Sequence, residues 1–167
     1  MPEKGLIETM STQRAVRHFS DQPVPEELLK RLLDLAIKAP NGSNVQPWKF
    51  IVIRDAVTRK RIGQIYLESL QEAVQEPGHQ AVVERPGHGP IRQDAMYLAK
   101  TIGEVPPVLI LVCNHEISFN PGPTVFPAVQ NLMLAAWSLG LGTVLTTVLE
   151  HKVDAVKELL GIPEDVQ

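Results

Sequence analysis

Cysteine is nearly absent from this 167-residue chain: Cys113 is the single one, so no internal disulfide can form. It lies in an apolar run, where a free thiol is expected to be a buried structural side chain. With no paired cysteines, and with five histidines (18, 79, 88, 115 and 151) in no ligand spacing, the sequence offers no recognisable metal site. Aromatic residues are scarce at 5%, so aliphatic side chains must fill the core. Long hydrophobic runs are missing too. The stretch Val105 to Cys113 contains two prolines and is far too short to span a bilayer. The first ten residues, MPEKGLIETM, lack the basic start and apolar run of a secretory signal. A formal net charge of -3 without charge blocks argues against a nucleic-acid surface or a polybasic membrane patch. The expectation is a cytoplasmic protein with no nucleic-acid or membrane partner.

What is present suits one globular domain over 1–167, since 44% hydrophobic residues can supply one sizeable core. A short helix is expected over 4–13. Pro25 followed by Glu26 and Glu27 opens a second helix with Pro at its first position. Leu28, Leu29, Leu32, Leu33, Ala36 and Ile37 then repeat at helical spacing up to Pro40. The β-branched and aromatic run Trp48–Ile53 predicts a strand, and Asp55 can cap a helix over about 56–75.

Glycines and prolines crowd 76–90, which reads as the least structured part and a candidate lid. A helix over about 92–103 leads into Pro107–Cys113, a strand without alternation whose two faces should both be covered. Phe126 to Leu139 predicts a buried helix stopped by Gly140-Leu141-Gly142. Thr143–Thr147 looks like a short strand, and a last helix over about 151–160 closes with Gly161 and Pro163. Helices mixed with buried strands place the fold in the α+β or layered α/β class.

Neither a P-loop, nor G-x-G-x-x-G after a strand, nor a G-x-S-x-G elbow occurs. Two constellations could carry chemistry. Arg14 and Arg17, three residues apart, would share one side of a helical turn and could hold one anionic group together. The Pro-bounded loop Asn41-Gly42-Ser43-Asn44-Val45-Gln46 gathers amides and a hydroxyl suited to a sugar alcohol and a heterocycle edge. Taken alone, each also fits a bland account: solvated surface arginines, and a turn made of turn-formers.

Read in order, R14-A-V-R17-H-F19, then A39-P40-N-G-S-N44-V-Q46-P47-W48-K-F50, then V129-Q-N131-L-M-L-A-A-W-S-L-G140-L-G142, the chain resembles the nitroreductase family over nearly its whole length, least through 64–90, which the resemblance marks as a variable lid region. The resemblance implies an α+β fold with a central, mostly antiparallel sheet flanked by helices, and a homodimer with FMN at its interface. It implies Arg14 at the FMN phosphate, with Ala15 beside it where the family often has a serine, and Arg17 on the pyrimidine side of the ring. Pro40, Asn41, Gly42, Asn44 and Gln46 would come from the partner subunit. Leu145, Thr146 and Thr147 would lie near the ring, with a backbone N–H of that stretch facing N5.

No protein side chain is expected to be catalytic in its own right, because the flavin carries the chemistry. The implied reaction is ping-pong transfer of hydride equivalents from NADH or NADPH through FMN to a small aromatic acceptor such as a nitroaromatic or quinone. Other activities of the same fold stay open, among them dehalogenation, flavin destruction and heterocycle oxidation, as does flavin binding or storage without turnover. The resemblance also implies a further strand and a basic phosphate contact after position 167, so weaker flavin retention is expected of this sequence.

Overall fold

A computed structural model describes residues 4–78, 80, 85–115 and 121–166. Two antiparallel strands form its centre: β1 (Trp48–Ile53) pairs with β2 (Leu109–Asn114), in a register that sets Trp48 opposite Asn114 and Ile53 opposite Leu109. Alternation along the strands sends successive side chains to opposite faces. Phe50 and Ile110 pack on a cluster of Leu32, Ala36, Leu132 and Ala136. Ile51, Leu109 and Leu111 pack on Ile53, Ile62 and Val156. Helices therefore cover both faces, as the unalternating apolar run of β2 predicts.

The first of these layers pairs α2 (Glu26–Ala36) with α5 (Pro121–Ser138). In α2, Leu29, Leu32 and Ala36 are buried, following the spacing of an amphipathic stripe. Pro25 takes the N-cap rather than the first helical position, and Glu26 and Glu27 still occupy the first turn, favourably for the helix dipole. Helix α5 starts at Pro121, five residues before its predicted beginning, and carries Pro127 inside it. Alanines 36, 128 and 136 have no exposed surface and let the helices and sheet approach closely.

The second layer holds α3 (Ala56–Ala73), α4 (Gly89–Thr101) and α6 (Val153–Leu160), with the short helix α1 (Leu6–Thr12) resting against α5. Tyr66, Leu70, Leu98, Ala99 and Ile102 form the cluster between α3 and α4. Residues 64–73, part of the span expected to vary most, belong to α3 and contribute buried Tyr66, Ser69, Leu70 and Ala73. Residues 79 and 81–84 of the expected lid lie outside the described residues. Gly161 ends α6 in the left-handed region with φ 63°, the C-terminal stop expected of it.

Thr143–Thr147 departs from expectation. Among the described residues it forms a single parallel bridge, Thr143 with Ala15, and then turns into a 3-10 helix over Val148–Lys152. Its β-branched composition suits a strand, but a ladder needs a neighbour along its length, and here one residue is paired.

Asp55 caps α3 as predicted, its Oδ2 accepting from the Thr58 N–H and the Thr58 hydroxyl at 2.7 Å each. These bonds hold the Asp55 carboxyl below its ordinary pKa, the backbone bond being the larger cause. A carboxyl depressed in the folded state stabilises above its unfolded pKa, and this contribution is lost as pH falls through the folded one. Urea denaturation of Asp55→Asn and wild type at a series of pH values should therefore show a gap at neutral pH. The gap should close below the usual carboxylate range.

Candidate functional site

The chain leaves α1 at Gln13 and runs beside the segment 143–147. The Val16 N–H donates to the Thr143 carbonyl at 2.9 Å, and Ala15 makes the bridge to Thr143. Gly142 permits the approach: a Cβ there would lie 3.0 Å from three Val16 side-chain atoms. On the far side His18 stacks on Tyr97 of α4, with ring centroids 4.1 Å apart, and its Nε2 lies 3.0 Å from Asp94 Oδ1. The arginine segment is thus anchored at Thr143 and at α4.

Arg14 and Arg17 lie outside any helix, so their spacing does not put them on one helical side as expected from sequence. Arg14 is exposed and its Nη1 donates to the Ser11 and Gln13 carbonyls at 3.1 and 2.7 Å. Arg17 is half-buried, and among the described residues it has no hydrogen-bond or ion-pair partner. A guanidinium has five donors and is always charged, so leaving it half-buried with none of them used is costly unless something else accepts from it.

The structure brings Leu145, Thr146 and Thr147 to this segment through the Thr143 contact. Leu145 and Thr147 are exposed, whereas Thr146 turns inward. The Thr146 hydroxyl meets the Tyr66 hydroxyl at 2.9 Å, and its Oγ1 accepts from the Val148 N–H at 3.4 Å. One turn further along α3, Ser69 donates to the Val148 carbonyl. Burial pushes the Tyr66 phenol above its ordinary pKa, with Thr146 and the Arg17 charge acting in the opposite direction. Nothing in the sequence analysis connects Tyr66 with the site; a hydroxyl at a buried position of the helix expected over 56–75 was the one available signal.

The loop 40–46 stands apart. Its hydrogen bonds close on itself: Gln46 N–H to Asn41 Oδ1 at 2.8 Å, Gln46 Nε2 to Asn44 Oδ1 at 3.0 Å, and Asn44 N–H to the Asn41 carbonyl at 3.3 Å. Ser43, Asn44 and Gln46 all have positive φ, between 48° and 54°. Left-handed backbone at three non-glycine residues costs on the order of 1 kcal/mol each, a strain retained where surrounding structure or function demands it. Ala39 and Trp48 pin its ends against Ala128. Pro40, Gly42, Asn44 and Gln46 are exposed and Asn41 half-exposed, and no hydrogen bond among the described residues joins them to Arg14 or Arg17.

An apolar cavity of about 800 Å³ lies behind the 143–147 segment, between it and β2. Tyr66, Leu145, Thr146 and Thr147 line it, whereas neither arginine and no residue of 40–46 does. Among the described residues no group of three or more His, Cys, Asp or Glu is placed to hold a metal ion, and no helix is long and apolar enough to cross a membrane.

The nitroreductase family profile matches residues 10–167. The chain belongs to the nitroreductase family. It is 31% identical over 166 residues to a protein of Methanothermobacter thermautotrophicus provisionally named NADH dehydrogenase/NAD(P)H nitroreductase, covering 96% of this chain and 71% of that one. It is also 26% identical over 180 residues to human iodotyrosine deiodinase 1, covering 97% of this chain and 60% of that one. An iodotyrosine deiodinase solved with FMN and 3-iodo-L-tyrosine superposes with a TM-score of 0.79 at 24% identity, covering 98% of this chain and 84% of that one. The FMN-dependent nitroreductase of Mycobacterium smegmatis, solved with NADPH, gives 0.74 at 22% identity, covering 96% and 82%. The nitroreductase-like fold expected from the sequence is thus the fold of this chain.

Its residues fit FMN on their own chemistry. Arg17 offers an unused, half-buried guanidinium, and Arg14, the chain neighbour of Ala15 in the bridge to Thr143, a second cation. The Thr146 and Thr147 hydroxyls lie on the adjoining segment.

Proposed function

We propose that this nitroreductase-family chain is an FMN-dependent NAD(P)H oxidoreductase that reduces small aromatic acceptors such as nitroaromatics and quinones. The observation that carries the reading is Arg17, a half-buried guanidinium with no acceptor among the described residues. Bound FMN would supply the hydride chemistry, accepting from NADH or NADPH and giving up to the acceptor. The chain's part is to bind and orient. Arg17 would face the pyrimidine side of the ring, where a fixed positive charge stabilises the negative charge that reduction would place there. Arg14 meets the phosphate, with Ala15 at its side contributing no hydroxyl. Leu145 and Thr147, both exposed, present themselves toward the ring.

The loop residues Pro40, Asn41, Gly42, Asn44 and Gln46 complete the site from a second copy, in a homodimer with FMN at the interface. This arrangement accounts for a strained, exposed loop that makes no hydrogen bond to the arginines of its own chain. A cytoplasmic setting accords with the one buried, unpaired thiol.

The purified protein should be yellow and dimeric. Anaerobic titration with NADH and NADPH, followed at the flavin absorption band, should bleach it, and a nitroaromatic or quinone should restore the colour. Flavin that binds and stays oxidised under excess of both nicotinamides would favour storage without turnover. Colour restored by an iodinated phenol alone would move the acceptor to reductive dehalogenation.

A further inference from the structure

We infer that Tyr66 is a positioning residue that fixes Thr146 as a hydrogen-bond donor toward the bound flavin, an inference resting on the flavin reading above. The geometry determines which way the protons point. Tyr66 is 3% exposed, and among the described residues the Thr146 hydroxyl is its one hydrogen-bond partner. A buried phenol must place its proton on an acceptor, so Tyr66 donates to Thr146 Oγ1. The reverse direction would leave the phenolic proton with no acceptor.

Thr146 Oγ1 also accepts from the Val148 N–H at 3.4 Å. A threonine oxygen has two lone pairs and one proton. With both lone pairs engaged, the hydroxyl has one role left, to donate its own proton. No acceptor for that proton exists among the described residues.

Ser69 reinforces the arrangement from the next turn of α3. It has no exposed surface and donates to the Val148 carbonyl, so both hydroxyls of this helix face grip the segment 146–148. Arg17 stands near enough to Tyr66 for its charge to act on the phenol. Tyr66 therefore joins the two stretches proposed to flank the ring, although it belongs to the core between α3 and α4.

The test is a double-mutant cycle on FMN affinity, read by quenching of free-flavin fluorescence, with thermal unfolding of the apoprotein as the second measurement. Tyr66→Phe keeps the buried ring and removes only the donor. It should weaken FMN binding about threefold to tenfold, the span of one ordinary hydrogen bond. Thr146→Val should weaken it similarly, and adding Tyr66→Phe to Thr146→Val should change the affinity no further. Thr146→Ser, which keeps the hydroxyl, should retain most of the wild-type affinity and its dependence on Tyr66.

A merely structural tyrosine would lower the apoprotein melting temperature while leaving FMN affinity intact. That result, or simple additivity of the two variants, overturns the inference while leaving the flavin reading standing. Wild-type protein that binds no FMN overturns both.

Discussion

Replacing Arg17 with alanine should cost about tenfold to a hundredfold in FMN affinity, the worth of a hydrogen bond to a charged group, while leaving the folded apoprotein unharmed. The two halves of this expectation come from one observation. Among the described residues Arg17 has no partner to lose, so its removal breaks no ion pair and strands no acceptor. Removing a half-buried, unsatisfied cation should even raise the apoprotein melting temperature slightly. If the guanidinium serves a ligand, its whole contribution then appears in binding. Arg17→Lys should recover only part of the affinity, because an ammonium lacks the planar fork that meets a ring edge at two atoms. Fluorescence titration with FMN beside thermal unfolding of the apoprotein measures both quantities. Equal affinity in wild type and Arg17→Ala would remove the main support for the proposed function. A large fall in apoprotein stability would show that Arg17 has a structural task instead.

The contrast between Arg17 and the expectation for it shows what a sequence can carry. Local physics was legible. The leucine spacing of α2, the β-branched run of β1, the Asp55 cap and the Gly161 stop each depend on residues a few positions apart. The covering of β2 on both faces was also legible, because an unalternating apolar run leaves no solvent-facing side. The errors arise where the outcome depends on a distant partner. Thr143–Thr147 has the composition of a strand, but whether it pairs is decided by what lies alongside, and Ala15 supplies one bridge. Helix α5 begins at Pro121, ahead of the apolar run from Phe126 that predicts it, because proline is tolerated in a first turn. The arginine pair was expected on a helical turn, whereas the chain has already left α1, and Arg14 and Arg17 differ in burial and in partners. The positive φ values of Ser43, Asn44 and Gln46 and the reach of Tyr66 to Thr146 are likewise properties of packing that no spacing reveals.

The second large effect should come from a place with no chemistry of its own. Gly63 of α3 crosses Gly103 just after α4, so closely that a Cβ on Gly63 would lie 2.7 Å from Gly103 Cα and 2.8 Å from its nitrogen. A Cβ on Gly103 would lie 2.8 Å from the Arg59 carbonyl oxygen and 3.0 Å from Gly63 Cα. These neighbours are backbone atoms and cannot turn aside as a flexible side chain would, so the two segments must separate. Arg59 ties the same crossing from the side, its Nη1 donating to the Pro106 and Glu104 carbonyls, and separation would stretch those bonds as well. Gly63→Ala should therefore cost about 1–3 kcal/mol, the usual range for forcing volume into a packed site, and lower the melting temperature by roughly 2–12 °C. Gly89→Ala is the control: a Cβ there meets nothing within 4 Å, and alanine favours the helix it opens. Tyr66 lies one turn beyond Gly63 on α3, so a helix pushed away from α4 should also draw the phenol from Thr146. Gly63→Ala should accordingly weaken FMN binding at temperatures where the protein is still folded. An unchanged melting temperature would mean that the two backbones do not meet so closely, and lost stability with unchanged affinity would mean that the crossing does not govern the position of Tyr66.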